Sequence, residues 1–354
     1  MYKLLFILSS IITVVNSYSF PQLNILWKNK NVLPLWLPVI KYKNINKVPQ
    51  LVYIHGEPFT IYKNNNEEII IIYDKCPHQG ASLAAGKIKN NCLVCPYHSF
   101  EFEDGNFCRI PKSKKFISNK SVPRLETKIV DDIIYVKPYK DLNNKELDIL
   151  NDIRIEIPDP YLPPEHFDNN FRKISGEKTL NLNSEIITEN ILDMLHISTV
   201  HSFGNIDFPL PYNIKFENID YFSGRTIFQY KSGNYSISKQ YAGEVVVHNE
   251  YYLPGTTITR VIAGSSIKVV MTTILPVSEN KSVLYWSVYR NFWNDYLPEL
   301  CDKIIEFFME KTLKEDVNIL EKVYNKNRTG NINTKYDITI NKYRKAKSII
   351  SEYI

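Results

Sequence analysis

The sequence has little excess charge, few cysteines and, after its first residues, no long apolar run. Its 43 lysines and arginines nearly balance 38 aspartates and glutamates, and the net charge of +5 is spread along the chain. We therefore expect no nucleic-acid partner. Five irregularly spaced cysteines are too few for a disulfide framework, so a reducing compartment fits best. No later apolar run approaches the roughly 18 residues of a transmembrane helix.

The first twenty residues have the composition of a targeting segment. Lys3 precedes an apolar run from Leu4 to Val15, and small polar residues follow. This pattern predicts a signal-type presequence over residues 1–20, with an uncleaved N-terminal membrane anchor as the alternative. The junction around Phe20 resembles the phenylalanine-marked cleavage site of presequences for secondary plastids. A plastid location would reconcile a secretory-like leader with reduced thiols.

Four residues form the pattern C-x-H-x16-C-x2-H: Cys76, His78, Cys95 and His98. This is the spacing of a Rieske [2Fe–2S] site, in which two thiolates bind one iron and two imidazoles bind the other. Proline or glycine accompanies each ligand pair, which predicts two tight loops. Two such loops can hold a cluster from opposite sides, and a cluster of this kind transfers one electron at a time. The pattern therefore predicts a redox protein.

A structural zinc site is the alternative for these residues, because Cys92-x2-Cys95 with two nearby histidines also satisfies the ligand count of zinc. We interpret Cys92 as an ordinary strand residue. Rieske proteins of respiratory complexes have an additional cysteine in each loop, and these two cysteines form a disulfide. Ala81 and Tyr97 stand at the matching positions here. Without that disulfide, the reduction potential of the cluster is expected at the lower end of the Rieske range, as in the oxygenase type.

The 354 residues are enough for two domains, and 44% hydrophobic residues supply their cores. Short alternating segments divided by turns predict an all-β domain over 36–140, with strands at 51–54, 59–62, 68–73 and 133–136. The segment 141–165 is rich in asparagine, aspartate and proline, which predicts a linker.

Residues 166–354 combine strands at hairpin spacing with two helices. The strands are predicted at 222–231, 244–252, 258–263, 267–274 and 283–290, and the helices at about 185–197 and 298–324. An antiparallel sheet flanked by helices is an α+β domain with a pocket between its layers.

A second set of metal ligands is indicated in the first of these helices. Asp193 and His196 are three positions apart, Asn190 stands one turn earlier, and His201 follows at or past the helix end. We predict that the first three stack on one helical face. Two histidines and one carboxylate form the facial triad of mononuclear non-haem Fe(II), which leaves positions open for O2 and substrate. The alternative is that these are core or surface histidines.

The carboxylate of this triad is sought on the last predicted helix. Asp316 falls within its apolar stripe, whereas Glu315 and Glu321 are predicted to face lysines and solvent. The stripe consists of Ile305, Phe308, Leu313, Val317 and Leu320. A carboxylate on a buried face is costly unless it is paired or bound to a metal. We therefore predict Asp316 as the third ligand, the alternative being a surface acid.

The two ligand loops and the block ENILDMLHISTVH together resemble the Rieske non-haem iron oxygenases. The resemblance covers nearly all of the chain after the presequence and is greatest to the branch with pheophorbide a oxygenase and chlorophyllide a oxygenase. It implies a Rieske domain followed by a helix-grip catalytic domain. It also implies that Cys76, His78, Cys95 and His98 bind the [2Fe–2S] cluster. The mononuclear Fe(II) ligands would be His196, His201 and Asp316.

The resemblance also implies an assembly and an activity. Asp193 matches the acidic residue that connects the Rieske histidine of one subunit to an iron ligand of the next, in a head-to-tail homotrimer. The expected reaction is oxidation of an apolar organic substrate by O2, with electrons from a ferredoxin or flavin reductase. A tetrapyrrole pigment is one candidate for that substrate. The alternative is an electron-transfer or redox-sensing component without oxygenase activity, in which a mononuclear ligand would be missing.

Overall fold

The computed structural model describes residues 32–109, 121–138, 157–231, 233, 244–295, 297–323 and 332–352. The predicted presequence and residues 141–156 of the predicted linker lie outside these ranges, so both stay predictions.

The N-terminal region, residues 32–138 as described, contains three small antiparallel sheets. Their strand orders are β1-β10-β9, β2-β3-β4 and β5-β6-β7-β8. The strands are β1 (Leu37–Lys41), β2 (Gln50–Ile54), β3 (Glu57–Lys63), β4 (Ile69–Tyr73), β5 (Lys87–Lys89), β6 (Cys92–Val94), β7 (Glu101–Glu103), β8 (Asn106–Arg109), β9 (Glu126–Val130) and β10 (Ile133–Lys137).

The core of this region is built around β4, whose five residues are all buried. A run of four isoleucines and a tyrosine suits a strand covered on both faces, because β-branched side chains pack well on a pleated surface. The turn before β4 is held by Asn64, whose side-chain Oδ1 accepts from the backbone N–H groups of Asn66 and Glu68 at 3.0 Å each. This strand leads directly to the first ligand loop.

The C-terminal region, residues 157–352 as described, contains a seven-stranded antiparallel sheet of order β11-β17-β16-β15-β14-β13-β12. Its strands are β11 (Arg172–Leu180), β12 (Tyr212–Asn218), β13 (Ser223–Lys231), β14 (Glu244–Tyr252), β15 (Thr256–Ala263), β16 (Ser266–Ser278) and β17 (Lys281–Arg290). Its helices are α1 (Ser184–Leu192), α2 (Ile197–Val200), α3 (Pro298–Leu320) and α4 (Ile338–Glu352). The predicted fold class, a β-rich domain followed by an α+β domain, is confirmed.

Two details of the helices differ from the sequence predictions. The first helix ends at Leu192 rather than near 197, and the last helical segment, α4, had not been predicted. The stripe predicted along α3 is right at Ile305, Leu313 and Leu320, which are buried, and wrong at Phe308, which is 44% exposed. Within the described residues, no helix is both long and apolar enough to cross a membrane.

The seven-stranded sheet is covered on both faces. The helices pack on one face, where α1 and α3 share a core with β16 and β17. The N-terminal region packs on the other, and the Tyr285 hydroxyl of β17 donates to the Val39 carbonyl of β1 at 2.9 Å. Leu275 and Tyr285 belong to the N-terminal core itself. The two regions therefore share one continuous packing interface across the sheet.

Candidate metal centres

The two cysteine–histidine loops have the same hydrogen-bond pattern. In the first, the Cys76 N–H donates to the Ala81 carbonyl and the Gly80 N–H donates to the Cys76 carbonyl, both at 2.8 Å. In the second, the Cys95 N–H donates to the Phe100 carbonyl at 2.8 Å and the Ser99 N–H to the Cys95 carbonyl at 3.1 Å. Each loop thus closes on itself and presents its side chains in the same way.

The fifth residue of each loop has left-handed backbone geometry. Gly80 has φ +74° and Ser99 has φ +56°. Glycine adopts this conformation without strain, whereas serine does so at some cost. In this chain, Phe100 stacks on His78 with ring centroids 4.5 Å apart.

The cysteine and histidine side chains of the two loops converge on one place. Cys76 and Cys95 are buried and their thiols lie within hydrogen-bond distance of each other. The Nδ1 atoms of the exposed His78 and His98 are 3.1 Å apart. Burial, followed by the neighbouring Cys95 thiol, raises the pKa of the Cys76 thiol to about 11. Two buried sulfurs and two converging imidazoles fit a [2Fe–2S] cluster with its histidine-bound iron toward solvent.

The structure does not form the alternative zinc pair of Cys92 and Cys95. Cys92 lies in β6, and its Sγ is 3.7 Å from the Sγ of Cys108 in β8. Its interpretation as a strand residue therefore agrees with the structure.

The second site begins where α1 ends. The Asp193 side-chain Oδ1 accepts from the Leu195 N–H at 2.8 Å, and this local turn competes with a further helical turn. Asp193 has extended backbone geometry, with ψ 125°. The predicted stacking of Asn190, Asp193 and His196 on one helical face is thus wrong. A single-turn helix, α2, follows, and His201 caps its C-terminal end.

His196, His201 and Asp316 nevertheless come together. One ligand atom from each lies within 4.8 Å of the others. The Nε2 atoms of the two histidines are 3.1 Å apart, and Asp316 Oδ1 is 3.6 Å from His196 Nε2 and 3.5 Å from His201 Nε2. Asp316 belongs to α3 and lies 115 residues further along the chain than His201.

Asp316 has the properties expected of a metal ligand. Among the described residues its Oδ1 is buried without a hydrogen-bond partner. Burial raises the pKa of the carboxyl group above its usual range, although His201, His196 and a hydrogen bond from Asn190 act in the opposite direction. An orphaned carboxylate oxygen facing two imidazole nitrogens fits a mononuclear metal ion with open coordination positions.

The outward-facing nitrogens of both histidines have fixed partners. His196 Nδ1 lies 2.8 Å from the Asp193 carbonyl, and His201 Nδ1 lies 3.1 Å from Glu315 Oε2. Because Nδ1–H donates in each case, both Nε2 atoms are left with a lone pair for a metal. Glu315 had been predicted to face lysines and solvent. It does lie 3.9 Å from Lys311, but its carboxylate also orients a ligand histidine, which sequence spacing does not reveal.

Apolar side chains lie next to two of the ligands of this second site. Met194 packs in a cluster with residues of β13 and β14, and Ile197 packs against that cluster. Phe203 stacks on His201 with ring centroids 4.9 Å apart. A cavity of about 610 Å³ lies instead on the other face of the sheet, lined by Tyr135, Tyr252, Arg260 and others. The metal ligands do not line that cavity.

Two family models match this chain. One, described as a Rieske [2Fe-2S] domain, matches residues 35–129, and the other, a vanillate O-demethylase oxygenase C-terminal domain, matches residues 180–348. The first range contains both cysteine–histidine loops. The second contains His196, His201 and Asp316.

Individual relatives are distant. Chlorophyllide a oxygenase of Chlamydomonas reinhardtii is 29% identical over 167 residues, which are 46% of this chain and 23% of that protein. Cholesterol 7-desaturase nvd 1 of Ciona intestinalis is 34% identical over 152 residues, which are 41% of this chain and 29% of that protein. The chain thus spans less than a third of the length of either relative.

A solved structure covers much more of the chain. Dicamba monooxygenase bound to 3,6-dichlorosalicylic acid aligns with a TM-score of 0.73 at 17% identity, covering 90% of this chain and 97% of that one. At this identity the likeness concerns the fold alone. Because the ranges matched by the two family models contain both ligand sets and the fold agrees over 90% of the chain, the chain belongs to the Rieske non-haem iron oxygenase family, with its [2Fe–2S] cluster and its mononuclear iron site.

Proposed function

We propose that this protein is an oxygenase that uses O2 and externally supplied electrons to oxidise an apolar organic substrate. The observation that carries the proposal is the buried His196, His201 and Asp316 triad, whose carboxylate oxygen has no other partner among the described residues. A protein that only carries electrons has no use for a second, buried ligand set. When bound, the cluster supplies single electrons and the mononuclear iron supplies open positions for O2.

The chain's own residues organise the buried site for this purpose. The Asp193 carbonyl and Glu315 hold the His196 and His201 rings so that their Nε2 atoms converge. Phe203 stacks on His201 and Met194 packs in the neighbouring apolar cluster, which favours a site of low polarity. These residues favour an apolar substrate, and the names of the two relatives refer to a tetrapyrrole, chlorophyllide a, and a sterol, cholesterol.

Electrons are proposed to arrive at the exposed loops from a ferredoxin or a flavin reductase. His78, His98 and Tyr97 are exposed, and Tyr97 at 62% offers an aromatic contact for such a partner. In a head-to-tail trimer, Asp193 would join His196 to a cluster histidine of the next subunit. Its carboxylate Oδ2 lies 3.8 Å from His196 Nδ1 and its side chain is 30% exposed, which leaves it accessible for this role.

The test is O2 uptake by reconstituted, reduced protein across a panel of tetrapyrroles, sterols and small aromatics, with product masses measured. We expect about three irons per chain, from one cluster and one mononuclear site, and uptake coupled to a product that gains oxygen or loses hydrogen. About two irons per chain and no coupled uptake would reject the proposal and favour an electron carrier. Light scattering of the same sample tests the trimer.

A further inference from the structure

Lys268 lies near the start of β16, on the helix-covered face of the seven-stranded sheet. Two residues later, Val270 packs against the core that contains Leu313 of α3. The alternate residues Ile267 and Val269 belong to a different cluster, on the opposite face. Because alternate strand residues point to opposite faces, Lys268 shares the face of Val270. It therefore points toward the layer that also holds the mononuclear iron ligands.

The neighbours of Lys268 across the sheet locate it relative to that site. Val261 of β15 is its direct partner on one side. Val261 packs against the same apolar cluster as Ile197, and that cluster contains Met194. Met194 and Ile197 stand two residues before and one residue after His196. Lys268 thus pairs directly with a residue that packs on the apolar cluster of Met194, two residues before the proposed ligand His196.

The carboxylates on the other side of Lys268 are already engaged. Its second direct partner is Arg290 of β17, whose side chain is 1% exposed and whose guanidinium donates to Asp302 Oδ1 at 2.7 Å. Asp302 Oδ2 accepts from Arg172 at 2.7 Å, and Arg172 also reaches Glu299 at 3.3 Å. Within the described ranges, the Lys268 ammonium forms neither a hydrogen bond nor an ion pair.

Among the residues that the structure describes, no carboxylate serves as a counter-ion for this ammonium. Burial lowers the pKa of Lys268 below its usual range, and no described carboxylate counteracts that effect. A partly buried charge without a partner costs free energy, and a ligand of opposite charge would remove that cost. Binding pockets commonly use one such charged group among apolar residues to orient a ligand.

We propose that Lys268 binds a carboxylate of the substrate, so that the substrate is an apolar molecule carrying one acidic group. This inference rests on the proposed function, because it assigns a substrate class to the same site. Lys268 is a specificity-determining residue in this proposal, and it takes no part in the oxidation itself. Lys268 would fix the acidic end of the substrate in the layer where Val261 and Ile197 pack on the apolar cluster of Met194.

The test measures binding by calorimetry to the full, cluster- and iron-loaded protein. The probes are three acids of different size, each compared with its own methyl ester: benzoate, cholate and pheophorbide a. We expect at least one acid to bind at least about tenfold more tightly than its ester, since a charge-assisted hydrogen bond is lost in the ester. Lys268→Met should abolish this preference, and Lys268→Arg should preserve it.

Lys281→Met, an exposed lysine on neighbouring β17, is the matched control and should leave the preference unchanged. The inference is overturned if no acid is preferred over its ester, or if the preference survives in Lys268→Met. Inorganic phosphate is a further probe, which tests whether Lys268 is only a site for small anions. If phosphate binding depends on Lys268 and no organic acid binds more tightly than its ester, the inference is also overturned. Because binding is measured without turnover, this failure is distinct from an absence of O2 uptake.

Discussion

The two histidine pairs of this protein have nearly the same geometry in opposite environments. In the N-terminal region, the Nδ1 atoms of His78 and His98 are 3.1 Å apart and the rings are inclined by 73°. In the C-terminal region, the Nε2 atoms of His196 and His201 are also 3.1 Å apart, again with rings inclined by 73°. The first pair is exposed, whereas His201 is 8% exposed.

The difference shows how the same imidazole ligand serves two tasks. The exposed pair converges through Nδ1, which leaves each Nε2 on the outer side of its ring, available to a partner. The buried pair converges through Nε2, while its Nδ1 atoms are held by the Asp193 carbonyl and Glu315. An electron-transfer site benefits from contact with solvent and partners, and a site for O2 chemistry benefits from exclusion of water.

The largest effects are expected from substitutions of the metal ligands, each of which should affect one metal site and leave the other intact. Asp316→Ala should remove the mononuclear iron and lower turnover by about 1000-fold or more, because one of its three protein ligands is lost. The visible and EPR spectra of the cluster should stay unchanged. His98→Ala should instead abolish the cluster spectrum. The measurements are iron content, spectra and O2 uptake.

Glu321→Ala, an exposed acid just after the same helix, is the control for Asp316→Ala and should retain full activity. If Asp316→Ala keeps its third iron, the assignment of the carboxylate ligand is wrong.

A smaller effect is expected from the residue that orients His201. Glu315→Gln keeps the side-chain volume but removes the charge that accepts from His201 Nδ1. Loss of such a partner typically lowers metal affinity by about 10- to 100-fold. The rate of iron loss to a chelator measures the change. Glu306→Gln, an exposed residue of α3, should lose iron at the wild-type rate. Equal rates in both variants would show that Glu315 does not support the site.

The aromatic residues beside the two histidine pairs are expected to contribute differently to the stability of the fold. Phe203→Ala should destabilise the fold by about 1–2 kcal/mol, because a half-buried ring stacked on His201 is removed. Tyr97→Ala should change stability by less than about 0.5 kcal/mol, because Tyr97 is 62% exposed although it contacts His98. Denaturant unfolding of both variants measures the difference. Equal losses would contradict the contrast in burial.

The smallest expected effect is an increase in the stability of the metal-free protein. In metal-free protein at pH 8, Asp316→Asn should raise stability by about 1 kcal/mol, because it replaces a buried carboxylate whose charged form is disfavoured. Thermal unfolding in the presence of chelator measures this. Asp193→Asn is the control, since its side chain is 30% exposed and asparagine can still accept from Leu195. A lower melting temperature for Asp316→Asn would show that the histidines already compensate the charge.

The cluster ligands could be predicted because each loop is a local structure. The bonds between Cys76 and Ala81, and between Cys95 and Phe100, close within six residues, so spacing in the sequence translates directly into geometry. The prediction of a helix through Asp193 failed for a local reason of another kind, since the Asp193 side chain formed a turn where periodicity indicated a helix.

The sequence by itself determined the type of protein: two ligand loops, two further histidines and one acid on the buried side of a late helix. Only the tertiary structure showed that Asp316 reaches both histidines and that Glu315 orients His201, because both acids come from α3, more than a hundred residues away. It also placed Lys268 near that site, since strand register, and no local pattern, determines which residues of a sheet are neighbours.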